Sequence, residues 1–265
     1  MFDRFGRKID YLRVSVTDRC NLRCTYCMGE NGIALLRHED ILRFEEIAEV
    51  VREAVAMGVT KVRLTGGEPL VRRGIITLVA MLRDIEGIAD LAMSTNGILL
   101  AEFAEPLAQA GLRRVNVSLD AVDRARFAAI TRGGDVQAVF DGIRAARRAG
   151  LTPVKLNCVI QQTPEEPDAR AVAAYAAAEN LEVRFIRRMS LADGEFSVVI
   201  GGSGGDCVHC NRLRLSSDGM LRPCLFSDIG FSVRELGPRE AILRAISEKP
   251  ECGTSSHAHF HAIGG

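Results

Sequence analysis

The sequence predicts an α/β fold, an incomplete (β/α)6 barrel of the TIM type with a small β-rich C-terminal extension, on three observations. Short β-branched runs alternate six times with amphipathic stretches, the rhythm of a parallel sheet with right-handed crossovers. Helical stretches end on glycine at Gly58, Gly111 and Gly150, where a left-handed C-cap is expected. Mostly polar residues, Thr17, Gly66, Ser94, Ser118, Asn157 and Met189, stand at or near the C-terminal ends of the six strands. In parallel βα folds that end binds ligands, which favours a curved partial barrel over an open doubly wound sheet.

The elements follow in order. "YLRVSVT" (11 to 17) reads as the first strand and "RFEEIAEVVREAVAMG" (43 to 58) as its helix. The unit recurs as "KVRLTGG" with "IITLVAMLRDI", "LAMSTNG" with "AEFAEPLAQAG", and "RRVNVSLD" with helices up to Gly150. "PVKLNCVI" with "DARAVAAYAAAEN" follows, and "LEVRFIRRM" closes the series without a helix. After Met189 the helical period disappears. "GGSGG" (201 to 205) reads either as a natural glycine loop or as a linker in place of a longer segment, and "RLRLSSDGMLRPCL" reads as a hairpin turning at Asp218-Gly219. "GPREAILRAISEK" is an amphipathic helix before a polar tail. The expected division is residues 1–189 for the barrel and 190–265 for the extension, helix and tail.

Composition narrows the function. With 265 residues, 47% of them hydrophobic, the chain can bury a large core. Lysine plus arginine equals aspartate plus glutamate at 34 each, so bulk charge argues for neither a nucleic acid nor a membrane surface. The start of the chain lacks the apolar run of a signal peptide and no stretch is apolar enough to span a bilayer, so a cytoplasmic chain is expected. In such a chain eight cysteines suit metal ligation better than a disulfide framework.

"TDRCNLRCTYCM" places Cys20, Cys24 and Cys27 within eight positions, directly after a strand. A thiol stripe on a helix would have the same spacing, but no helix start is present and Asn21 and Thr25 are poor helix formers. A structural zinc site would want four ligands. Three thiolates suit an iron–sulfur cluster one ligand short, whose remaining iron could hold a small molecule. "CVHCNRLRLSSDGMLRPCLF" supplies a second triad, Cys207, Cys210 and Cys224, which reads as a zinc knuckle with one more ligand or as a second three-thiolate cluster.

CxxxCxxC with Tyr26 before its last cysteine, on the loop after the first strand of a partial barrel, resembles the radical S-adenosylmethionine (SAM) superfamily. The resemblance implies a 4Fe–4S cluster on Cys20, Cys24 and Cys27, with SAM on its open iron and a 5′-deoxyadenosyl radical as its product. "LTGGEPL" (64 to 70), "STNG" (94 to 97) and "NVSLD" (116 to 120) match the family's strand-end motifs. Within the superfamily, "FGRKIDYLRVSVTDRCNLRCTYCM", the second triad and the terminal "IGG" resemble the GTP 3′,8-cyclase family of molybdenum-cofactor biosynthesis. That implies a second 4Fe–4S cluster whose open iron holds guanine, and conversion of GTP to 3′,8-cyclo-7,8-dihydro-GTP.

Carried over residue by residue, Tyr26, Gly66, Gly67, Ser118 and Met189 would contact SAM, and Arg13, Arg63, Ser94, Lys155, Arg212, Leu213 and Arg214 would contact GTP. Gly264 and Gly265 would reach an active site. The resemblance also implies an electron donor such as flavodoxin or ferredoxin, and it allows a homodimer. Two departures stand out: only Ser190 to Asp206 joins the sixth strand to the second CxxC, where the family has a much longer segment, and Gly29 replaces the usual proline. A related radical enzyme acting on another nucleotide or a peptide is the alternative. Cys158 is expected in the core, Cys252 is unassigned, and His257, His259 and His261 read as an exposed tail.

Overall fold

The structure, a computed structural model, describes residues 1–29 and 34–257. The expectations on Gly264, Gly265, His259 and His261 therefore lie outside the described residues. Six strands form where the alternation placed them: β1 (Tyr11–Ser15), β2 (Lys61–Thr65), β3 (Asp90–Thr95), β4 (Arg114–Ser118), β5 (Lys155–Ile160) and β6 (Glu182–Arg187). They pair in parallel in chain order. Helices α1 (Phe44–Ala56), α2 (Ile75–Arg83), α3 (Leu100–Ala110), α4 (Arg124–Thr131), α5 (Val136–Arg148) and α6 (Pro167–Ala178) occupy the crossovers.

Period-two alternation sets the two faces of the sheet. Leu12, Val14, Val62, Leu64, Leu91, Met93, Val115, Val117, Leu156 and Cys158 are buried together with the helices' apolar stripes, and this layer is the core. The alternate positions carry Arg13, Arg63, Ser94, Asn116, Ser118 and Asn157, so the concave face is polar and leaves room for a ligand. The helices follow the same logic. In α5, Val136, Val139, Ile143 and Ala146 are buried at helical spacing while Asp135 caps the N-terminus by accepting from the Gln137 N–H at 3.1 Å. Gly111 ends α3 with φ 105°, a conformation that favours glycine. Leu107, fully buried on α3, would cost about 2–5 kcal/mol if cut to alanine.

The β-rich extension is present, and it continues the barrel sheet. Strand β7 (Arg212–Leu215) runs parallel to β1 on the edge away from β6, and β8 (Met220–Arg222) and β9 (Phe231–Ser232) add antiparallel. The reason lies in the pattern of "RLRL": Leu213 and Leu215 stand beside Leu12 and Val14 and extend the buried face. The hairpin between β7 and β8 turns at Asp218-Gly219 as expected, with Gly219 at φ 88°. Helix α8 (Pro238–Ser247), preceded by the short α7 (Val233–Leu236), packs on α1.

Residues 190–206 lead from β6, at one sheet edge, back toward β7, which lies between β1 and β8. Phe185 on β6 and Ile200 exchange both backbone hydrogen bonds at 3.0 Å, and the Val199 N–H bonds the Gly204 carbonyl at 2.8 Å. The glycine run is thus a compact turn against the β6 edge. Among the described residues no helix is long and apolar enough to cross a membrane.

Candidate active site

The first cysteine triad sits on the loop leaving β1, which makes turns instead of a helix: Cys27 N–H and Met28 N–H both reach the Cys24 carbonyl, at 3.0 and 3.1 Å. Gly66 and Gly67 dock the end of β2 beneath this loop. A Cβ at Gly66, whose φ is 148°, would stand 2.5 Å from the Thr17 carbonyl oxygen, and one at Gly67 would stand 2.3 Å from that of Arg19. Backbone hydrogen bonds from Gly67 to Thr17 and from Glu68 to Arg19, both 2.8 Å, fill that space. The two glycines therefore seat the cysteine loop, a requirement that stands beside any ligand approach expected of them.

Two buried carboxylates that the motif reading did not single out lock the site together. Glu68 accepts from Leu70 N–H (3.0 Å), Thr95 Oγ1 (2.8 Å) and Asn96 N–H (2.7 Å), joining the ends of β2 and β3. Burial pushes its pKa up to about 7, against the pull of those three donors. Asp120 accepts from the Tyr26 hydroxyl at 2.6 Å and from the Val159 N–H at 2.7 Å, tying the cysteine loop to the ends of β4 and β5. The only signal available in sequence was their place in "GGEP" and "VSLD".

The second triad lies between β7 and the segment after β8. Cys210 closes a turn onto the Cys207 carbonyl at 3.2 Å, and Cys224 follows β8. Beneath them is Lys249, 1% exposed, whose Nζ donates to the carbonyls of Arg212 at 2.8 Å and Pro223 at 2.6 Å. Burial lowers its pKa while the neighbouring thiols of Cys210 and Cys224 oppose the shift. Nothing in "SEKPEC" announces this role.

Both triads open on one cavity of about 340 Å³. Cys20, Cys24 and Cys27 line it together with Cys207, Cys210 and Cys224, and with Tyr26, Gly66, Gly67, Ser118, Met189, Arg13, Ser94, Arg212 and Arg214. The 190–206 segment supplies a wall through Phe196, whose ring packs on Phe226 at 4.5 Å. Three of the expected substrate contacts do not line the cavity. Lys155 Nζ is held by Glu182 at 2.5 Å, and Leu213 is fully buried on the helix face of the sheet. Arg63, 7% exposed, lies over the Tyr11 ring at 5.6 Å.

Strand register nevertheless builds a cationic floor, since Arg63, Arg13 and Arg214 are direct neighbours across β2, β1 and β7. Burial lowers the pKa of Arg63 to about 10 and that of Arg214 to about 9, and neighbouring arginines add to both shifts. Like charges set side by side in a sheet are unfavourable. An anion above them would relieve that repulsion.

The first donor set fits an iron–sulfur cluster. Burial pushes the thiols of Cys24 and Cys27 up to about 12, with the charges of the other thiols and Asp120 adding to it. Three thiolates gathered in such a place need a strongly cationic partner. Among the described residues no three His, Cys, Asp or Glu side chains gather around a point that could hold a single metal ion. The thiols of both triads line the cavity wall.

Comparison with known proteins agrees with this arrangement. The Radical SAM superfamily model matches residues 14–175. The GTP 3′,8-cyclase of Thermodesulfovibrio yellowstonii is 41% identical over 313 aligned positions, covering 97% of this chain and 96% of that protein. The chain belongs to the GTP 3′,8-cyclase family of radical SAM proteins. The family's Moorella thermoacetica member is also 41% identical, over 305 positions that cover 94% of each chain.

An alignment of 313 positions cannot be filled by 265 residues, so at least 48 of them pass over a gap in this chain. Among solved structures, Streptococcus suis SuiB bound to S-adenosylmethionine matches with a TM-score of 0.62 at 14% identity, covering 92% of this chain and 64% of that one. Methylornithine synthase (PylB) matches with a TM-score of 0.57 at 18% identity, covering 70% of this chain and 55% of that one. These two likenesses concern the fold. Radical SAM membership brings with it a 4Fe–4S cluster and SAM as cofactors.

Proposed function

We propose that the chain cyclises GTP to 3′,8-cyclo-7,8-dihydro-GTP, as the name of its relatives describes, using two 4Fe–4S clusters. The observation that carries this reading is the single cavity walled by both cysteine triads. Cys20, Cys24 and Cys27 would hold the first cluster, which together with SAM would supply the radical chemistry directed at the ribose. The chain's own residues do the positioning. Cys207, Cys210 and Cys224 would hold the second cluster against the base, and Arg13, Arg212 and Arg214 between the triads would take the triphosphate in two-point contacts. Tyr26, Gly66, Gly67, Ser118 and Met189 would contact SAM, and Ser94 the nucleotide. Arg63 would act from beneath through its charge. No acid–base constellation is needed to abstract a hydrogen atom, and the part of the cavity would be to fix the reacting atoms relative to each other.

Residues 1–189 would form the SAM-cleaving unit and 190–265 the second-cluster unit, served by a flavodoxin- or ferredoxin-like electron donor in the cytoplasm. The gap of at least 48 positions supports a second reading, in which the chain acts on another nucleotide or a peptide. Anaerobic reconstitution followed by SAM, dithionite and each nucleoside triphosphate in turn decides between them. GTP alone should yield a cyclic product. Turnover of SAM that no nucleotide couples to product would overturn the cyclase reading.

A further inference from the structure

Cys252 belongs to neither triad, yet its Sγ lies 3.2 Å from Cys207 Sγ. The encounter is built by buried groups. Arg7, 8% exposed, donates from Nη1 to the carbonyls of Cys207 and Glu251, both at 2.8 Å, and from Nη2 to that of Pro250 at 2.7 Å. Its Nε is fixed by Asp3 Oδ2 at 2.6 Å. One guanidinium therefore clamps together the two segments that carry these cysteines. On the far side of Cys252, Thr254 N–H bonds the Phe226 carbonyl at 2.9 Å and Ser256 N–H that of Leu191 at 2.8 Å.

The geometry discriminates between two uses of this fourth thiol. Thiolates that ligate different irons of one cubane stand apart by the width of the cluster, so two sulfurs in contact cannot both serve it as placed. They are, however, a short side-chain movement from the S–S bond length of about 2 Å. Cys207 lines the cavity, while Cys252 is exposed and stands outside it.

We propose that, while the second triad holds no cluster, Cys207 and Cys252 close into a reversible disulfide that withdraws Cys207 from the triad. A small-molecule disulfide such as oxidised glutathione is the oxidant. The Cys252 thiolate attacks one of its sulfurs and releases one glutathione thiolate. Cys207 then attacks the Cys252 sulfur of the mixed disulfide and releases the second. Two protons leave the protein thiols and two electrons end on the two glutathiones. The exposed cysteine meets the oxidant and the clamped one resolves it. The effect on cluster loading, though not the bond itself, rests on the second-cluster reading given above.

The test uses the full chain, stripped of iron, incubated with oxidised glutathione and then alkylated. Mass spectrometry of the digest should show the peptide carrying Cys207 linked to the one carrying Cys252, with fragmentation placing the bond at those two sulfurs. Two alkylatable thiols should be lost, and both should return with dithiothreitol. Cys252→Ser should leave Cys207 free of any bond to another protein cysteine and, after the same challenge and alkylation-free reconstitution, take up full iron, whereas the unchanged chain should load its second cluster only after reduction. A bond between Cys207 and Cys210, or no bond, would overturn the proposal. Equal linkage before and after iron loading would instead overturn Cys207 as a cluster ligand while the disulfide stood.

Discussion

Tyr26 gives its hydroxyl hydrogen to the buried carboxylate of Asp120 at 2.6 Å, and through that bond the cysteine loop after β1 is fastened to β4. Asp120 has a second partner, the Val159 N–H at 2.7 Å. Cutting it to alanine strands two partly buried donors at once, at about 1–3 kcal/mol each at most. Asp120→Ala should therefore lower the urea midpoint and speed iron loss from the first cluster to a chelator. Tyr26→Phe, which leaves the Val159 bond in place, should cost less. Unfolding curves for Asp120→Ala superimposed on those of the unchanged protein would show that the bond is not a brace.

Lys249 offers a contrasting test at the other end of the cavity. Its Nζ joins the carbonyl of Arg212, at the start of β7, to that of Pro223, next to Cys224. Lys249→Met keeps the apolar stem and removes the bridge. Anaerobic reconstitution of this variant should give about half the iron of the unchanged protein and leave SAM cleavage uncoupled from nucleotide. Loss of both clusters together would mean that the lysine supports the whole barrel.

The acid stability of the contact between α1 and α7 can be read from Glu46. Hydrogen bonds from Arg234 at 2.8 Å, and from the Arg43 N–H at 2.8 Å, hold its pKa near 2, below the ordinary value of 4.5, although partial burial opposes this. A depressed carboxylate stabilises the fold above its unfolded pKa and loses that contribution as pH falls. The loss should run from pH 4.5 down to about 2. Solvent screening at this partly exposed site keeps the effect at about 1 kcal/mol or less. Glu46→Gln should flatten that part of the stability profile, and a denaturation midpoint that falls equally steeply in the variant would assign the acid sensitivity elsewhere.

Much of this was legible in sequence because it is local. Alternation in "YLRVSVT" and "KVRLTGG" sets which side chains enter the cavity, and CxxxCxxC after a strand names its own chemistry. What escaped is non-local. Glu68 and Asp120 became braces only when β3 and β5 came alongside them. Arg7 meets Cys207 across 200 positions, and Cys252 meets it across 45. Lys155 and Leu213 show the converse, since a motif match placed at the substrate two side chains that strand pairing turned to Glu182 and to the core.

The cationic floor gives the most direct test of the substrate class. Arg13 stands in register with Arg63 on one side and Arg214 on the other, and Arg13 and Arg214 line the cavity between the two triads. The buried Tyr11 hydroxyl records their combined field: burial should raise its pKa, yet the charges of Arg13, Arg63, Arg212 and Arg214 lower it. A field of that sign in a recessed site attracts polyanions and is weakened by salt. Binding of GTP to the reconstituted protein, measured by equilibrium dialysis without SAM, should therefore weaken as salt rises, and guanosine should bind far less tightly than GTP. Arg13→Gln with Arg214→Gln should cost on the order of 100-fold in GTP affinity, the worth of two charge-assisted contacts. Guanosine affinity should change little, because the base is expected at the second triad. The same loss for guanosine as for GTP would place these arginines at the base or in the fold, and an unchanged affinity for GTP would remove the triphosphate from the floor altogether.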